Sequence, residues 1–136
     1  MILADTSGLL ALFNSREPAH DTARRAVEDA GEELVVSPFV LAELDYLVAT
    51  RLGTAAELTV LRELSGGAYV LAAMDDESVG LATDVIENYR DQAIGLTDAS
   101  LVVLADRYGT RRVLTLDHRH FRVLRTGTGA PFELLP

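Results

Sequence analysis

Residues 1–7 read Met1-Ile2-Leu3-Ala4-Asp5-Thr6-Ser7, an apolar run that stops at a carboxylate and two hydroxyls. A short unbroken apolar run suits a parallel strand covered on both faces. A carboxylate at the end of such a strand is expensive to bury unless something there compensates its charge.

Similar runs recur along the chain. Leu34-Val35-Val36, Tyr69-Val70-Leu71 and Val113-Leu114-Thr115-Leu116 read as strands, and Phe132-Glu133-Leu134 as an edge strand. Helical patterns fall between them: Ser7–Asn14, a polar helix around His20–Ala30, one from Ser37-Pro38 to about Leu52, and one from Thr54 to about Ser65. Two more cover Asp75–Tyr89 and run from Thr97 to Tyr108. Ser37-Pro38 joins a capping serine to proline at the first helical position, while Gly53, Gly66-Gly67 and Gly109 supply stops. Thr54 and Thr97 are the expected N-caps of their helices. Short strands alternating with helices predict an α/β class, with a short, mainly parallel sheet flanked by helices on both faces. No repeat, linker or low-complexity tract interrupts the pattern, so residues 1–136 read as one domain.

At 136 residues with 49% hydrophobic content, the chain can bury a real core and is not disordered. Its apolar stretches fall far short of the roughly 20 residues a membrane span needs. No basic region precedes the first apolar residues, so a cytoplasmic protein without a signal peptide is expected. Cysteine is absent, which excludes disulfides and thiolate metal sites. The 12 basic residues, all arginine, face 21 acids for a net charge of −9. Arg107, Arg111, Arg112, Arg119, Arg122 and Arg125 nevertheless cluster in a stretch whose only carboxylate is Asp117. Arginine suits bidentate phosphate contacts, and local positive charge permits RNA binding despite overall acidity. A genome rich in arginine codons explains the missing lysine equally well.

In open α/β sheets, ligands bind beyond the carboxyl ends of the strands. Asp5 and Asp117 follow strands at such ends, Asp98 follows Thr97 at a helix N-terminus, and Glu43 lies among Phe39, Val40, Tyr46 and Leu47. Each has a plain alternative: Asp5 and Asp117 as helix caps, Asp98 as a first-turn acid, Glu43 paired with Arg51 or Arg112. Together they converge on one rim of the sheet, where like charges repel unless cations lie between them. With no Cys and three His, the donors are oxygens, which suit Mg²⁺ or Mn²⁺. Such ions serve phosphoryl chemistry.

The motifs ADTS with Asp5, VLAELDYL with Glu43, GLTDASLVVLAD with Asp98 and LTLDHRHF with Asp117 occur in that order across essentially the whole chain. They resemble the PIN domain and, within it, the VapC-type toxins of bacterial type II toxin–antitoxin modules. The resemblance implies a PIN-like three-layer α/β/α fold and a metal-dependent endoribonuclease acting on structured RNA, tRNA or a ribosomal RNA loop. It implies Asp5 and Asp98 as ligands of one Mg²⁺ or Mn²⁺, Glu43 as the acid that orients or deprotonates the attacking water, and Asp117 as a fourth acid. Thr6 and Thr97 are candidate supporting hydroxyls. The resemblance also implies a cognate VapB-type antitoxin and a homodimer, whose interface the apolar faces of 39–52 and 54–65, with Leu58, Val60, Leu61 and Leu64, are expected to supply.

Arg112, Arg119, Arg122 and Arg125 are expected to contact RNA phosphates. His118 and His120 are expected to touch RNA or pack in a loop, with Phe121 buried. Three other readings compete. A two-component receiver domain resembles this pattern but relies on a lysine, which is absent. A haloacid-dehalogenase-like phosphatase needs an acid two residues after the first aspartate, where Ser7 stands. A non-catalytic PIN-fold module that binds RNA or a partner remains the alternative.

Overall fold

The computed structural model describes residues 1–136. Strands β1 (Ile2–Ala4), β2 (Leu34–Val36), β3 (Val70–Leu71), β4 (Arg112–Leu114) and β5 (Glu133–Leu135) form one sheet in the order β3-β2-β1-β4-β5. Every neighbouring pair is parallel. The side chains of β1 and β2, with Val113 and Leu114, are buried, as unbroken apolar runs require of a sheet covered on both faces.

Helices α1 (Thr6–Phe13) and α2 (His20–Ala30) join β1 to β2, and α3 (Pro38–Leu52) and α4 (Thr54–Ser65) join β2 to β3. Helix α5 (Asp76–Asn88), a 3₁₀ turn at Arg90–Gln92 and α6 (Leu96–Tyr108) carry the chain back past β1 to β4, after which the short α7 (His118–Val123) precedes β5. The first connections step to one side of β1 and the later one returns to the other. Right-handed crossovers then put α1–α4 on one face and α5–α6 on the other, giving the three layers. No helix is long and apolar enough to cross a membrane.

The strand order reverses beside β1, between β1 and β4, which is where such sheets open a crevice for ligands. The Asp5 N–H donates to Leu114 O at 3.0 Å, clamping the end of β1 to the end of β4. Gly8 lets α1 lie directly over that clamp, because a Cβ there would collide with the Leu114 carbonyl and side chain.

Some boundaries differ from the sequence reading. Ser37 caps α3 as expected, accepting from Phe39 N at 3.1 Å. Thr54 and Thr97 do not cap. Gly53, at φ 90°, both ends α3 and starts α4, and Gly95 starts α6, so each threonine already lies inside its helix. Strand β4 stops at Leu114 rather than Leu116: the Thr115 hydroxyl accepts from Asp117 N at 2.9 Å and folds the chain out of the sheet. The segment after Asp117 is helical rather than a plain turn, and the last strand is shifted by one residue, to Glu133–Leu135.

Candidate active site

The crevice beside β1 is an open cleft of about 450 Å³, lined by Asp5, Glu43, Asp98 and Asp117 together with Thr6, Thr97, Arg51 and His120. Five elements contribute. Asp5 ends β1 and Thr6 begins α1; Glu43 and Arg51 project from α3; Thr97 and Asp98 sit in the first turn of α6; Asp117 precedes α7, which carries His120.

Asp5 is nearly fully buried. Its Oδ2 accepts from the Thr115 hydroxyl at 2.8 Å and from Ser7 Oγ at 3.3 Å. Ser7 Oγ also accepts from Leu116 N at 2.9 Å, so two hydroxyls tie the β1 acid to the segment leaving β4. Thr115 is wholly buried and serves both acids, donating to Asp5 and accepting from the Asp117 backbone. A second hydroxyl pair braces the opposite wall. Ser100 Oγ donates to Thr97 O at 2.6 Å, which leaves the 2.8 Å Ser37–Ser100 contact to a proton from Ser37. That link joins the start of α3 to the start of α6, the two helices that carry Glu43 and Asp98. Thr97, freed from capping, donates to Glu43 Oε2 at 3.4 Å.

The acids repel one another. Burial raises the Asp5 carboxyl above its ordinary range, the Thr115, Thr6 and Ser7 donors pull it back, and the Glu43 charge adds to the rise. Asp98 is pushed up to about 6, first by burial and then by the Asp5 charge; His120 opposes the shift and Asp117 adds to it. The helix N-terminus favours an ionised Asp98, but burial and its acidic neighbours outweigh that. His120 Nδ1 lies 2.9 Å from Asp98 and 3.4 Å from Asp117. Its Nδ1 is buried between the two carboxylates and is not aligned for a regular hydrogen bond to either.

This donor set fits a hard divalent cation. It is built from carboxylate oxygens whose mutual repulsion a cation relieves, and the buried Thr6 hydroxyl beside them lacks any partner. No three of the acidic and histidine side chains close on a common point as a finished cage. An ion held by one or two carboxylates and its own waters, in the manner of Mg²⁺, needs none.

The structure thus brings Asp5, Glu43, Asp98, Asp117, Thr6 and Thr97 to one cleft. Glu43 is exposed at the cleft, whereas Val40, Leu44 and Val48 carry the buried face of α3, so its charge needs no buried partner. Arg112 is placed differently from the sequence reading. It stands at the opposite end of β4 and pairs with Glu32 and Glu133, which removes it from any RNA contact at the cleft. Arg125 is also engaged, donating to the carbonyls of Arg122, Val123 and Leu124. Arg119 and Arg122 lie exposed on α7. The sequence reading did not single out Thr115, and it left His120 to RNA contact or loop packing, whereas the structure sets it between Asp98 and Asp117. The signal for His120 was its i,i+3 spacing from Asp117, which becomes meaningful only once the segment is known to be helical.

Residues 2–125 match the PIN domain, and the chain belongs to that family. It is 51% identical to ribonuclease VapC26 of Mycobacterium tuberculosis (strain ATCC 25618 / H37Rv) over 135 residues, 99% of this chain and 100% of that protein, which places it in the VapC branch of that family. Two solved structures share the fold. Mycobacterium tuberculosis VapC20, a toxin that cleaves the sarcin-ricin loop, superposes with a TM-score of 0.80 at 19% identity, covering 88% of this chain and 92% of that one. FitAcB from Neisseria gonorrhoeae gives 0.61 at 15% identity, covering 80% and 83%.

Asp98 ionises at higher pH folded than unfolded, so its charge opposes folding. The penalty is absent below its ordinary value of 3.8 and complete above about 6. Replacing Asp98→Asn should therefore raise the thermal stability of chelator-treated protein near neutral pH, by an amount on the order of 1–3 kcal/mol. The difference should close by about pH 4. A variant no more stable than wild type at neutral pH would contradict this electrostatic reading.

Proposed function

We propose that the protein is a divalent-metal-dependent endoribonuclease toxin that hydrolyses phosphodiester bonds in structured RNA, tRNA or a ribosomal RNA loop. The convergence of Asp5, Glu43, Asp98 and Asp117 on one cleft at the strand-order reversal carries this reading. Asp5 and Asp98 are the residues that would hold Mg²⁺ or Mn²⁺. When bound, such an ion neutralises the phosphate, activates water and stabilises the leaving oxygen. Glu43, exposed at the cleft and steadied by Thr97, orients the attacking water and accepts its proton. Thr115 and Ser7 keep Asp5 aimed into the cleft by holding its Oδ2. His120 lies between Asp98 and Asp117 and offsets their repulsion when protonated. Attack by water rather than by the ribose 2′-hydroxyl leaves 5′-phosphate and 3′-hydroxyl ends.

An acidic cleft of this kind also accepts an arginine or lysine inserted by a VapB-type antitoxin. A homodimer is the proposed assembly, and the apolar surface beside α3 and α4 supports it. Leu58 and Leu71 are 43% and 45% exposed there, next to Leu41 and Leu61. Val60 and Leu64, expected at the interface, instead belong to the protein's own core. Light scattering should give a dimer mass at micromolar concentration and a monomer mass for Leu58→Glu. A wild-type monomer would refute the assembly.

The activity is tested on total bacterial RNA in Mn²⁺ with mapping of new 5′ ends. Wild type should produce discrete 5′-phosphate ends that disappear in EDTA and fall by about 10²-fold or more in Glu43→Gln. They should vanish in the Asp5→Ala, Asp98→Ala double variant. Products ending in 2′,3′-cyclic phosphate would sink the mechanism.

A further inference from the structure

The four acids of the cleft do not themselves grip an RNA strand. The cleft walls are lined by carboxylates, and an anionic strand is repelled there at every phosphate that no cation meets. Arg51 is the one arginine on those walls. Glu43, Leu47 and Arg51 recur at i, i+4 and i+8 of α3, and all three line the cleft, so a single stripe of that helix faces it. At a rise of about 1.5 Å per residue, Arg51 stands about 12 Å along the axis from Glu43. It is therefore clear of the reacting phosphate and within reach of those flanking it.

Five other arginines are engaged, and the exposed Arg119 and Arg122 of α7 lie outside the cleft lining. Arg24 and Arg90 pair with Glu28 and Glu87, Arg112 with Glu32 and Glu133, and Arg107 and Arg125 donate to backbone carbonyls. Arg51 makes no ion pair, even with Glu43 on its own stripe, and its side-chain donors have no hydrogen-bond partner. His120, the other basic group of the cleft, is held between Asp98 and Asp117.

We propose that Arg51 is a substrate-binding residue, whose guanidinium fork grips a phosphate flanking the scissile bond and so sets the register of the RNA strand against the acids. A planar, always charged fork suits bidentate phosphate recognition. This assignment rests on the nuclease reading. The plain alternative is that a cation in the last turn of α3 only complements the helix dipole.

The test compares wild type with Arg51→Ala and Arg51→Lys, after matching their thermal midpoints. Cleavage kinetics are measured on bulk tRNA in Mn²⁺, and affinity for a fluorescently labelled RNA stem–loop is measured in Ca²⁺ over a range of salt. Arg51→Ala should raise KM and Kd about tenfold or more while leaving kcat nearly unchanged. It should also lower the slope of log affinity against log salt by about one, with Arg51→Lys recovering part of both losses. Equal affinities and salt slopes would overturn the proposal, as would a fall in kcat at constant KM. If wild type cleaves neither bulk tRNA nor total bacterial RNA, the nuclease reading fails. The binding arm still decides Arg51, because phosphate contacts do not depend on sequence.

Discussion

Burying the Asp5 carboxylate at the end of a central strand is the constraint on which the rest of this structure depends. Its position is set by the β1–β4 pairing and by the N–H bond to Leu114. Left alone, such a charge would strongly oppose folding. Thr115 and Ser7 offset part of that cost through two hydroxyl donors to one oxygen. Neither donor is incidental, since Thr115 also shapes the exit from β4 and Ser7 accepts from Leu116. The hydrogen bonds that tolerate the acid are the same ones that build the cleft floor.

What the hydroxyls leave uncompensated is repulsion among carboxylates. Glu43 acts on Asp5, while Asp5 and Asp117 act on Asp98, and the Ser37–Ser100 link keeps the α3 and α6 walls in place instead of letting them spread. The fold therefore stores an unfavourable arrangement of like charges in a solvent-open cleft. A divalent cation would relieve that arrangement, as the proposed nuclease activity requires. Perturbed acids of this kind mark a working site more often than a structural one.

The parallel sheet was legible because its central strands are apolar runs; Asp5, Asp98 and Asp117 were legible because they follow strands or open a helix, and Glu43 because it is an acid among the apolar residues of α3. Ser37-Pro38 announced α3 through cap chemistry that is local in sequence. Thr54 and Thr97 looked identical by that local rule, yet the glycines before them took the capping positions. Arg112 could not be placed from the chain alone, because its partners Glu32 and Glu133 meet it only through the sheet order. Thr115 was read as one more strand residue, since nothing in Val113–Leu116 reveals that its hydroxyl faces Asp5. Distance along the chain hides such contacts, and the strand pairing creates them.

The central claim is that these acids form a divalent-cation site. Calorimetric titration of Mn²⁺ into metal-free protein, near pH 6 and well above it, in buffers of different ionisation enthalpy, tests it directly. Saturable binding should release protons near pH 6, where Asp98 is partly protonated, and release fewer at the higher pH. Asp5→Asn should weaken the binding sharply. A folded protein that shows no saturable Mn²⁺ binding at either pH would contradict the account.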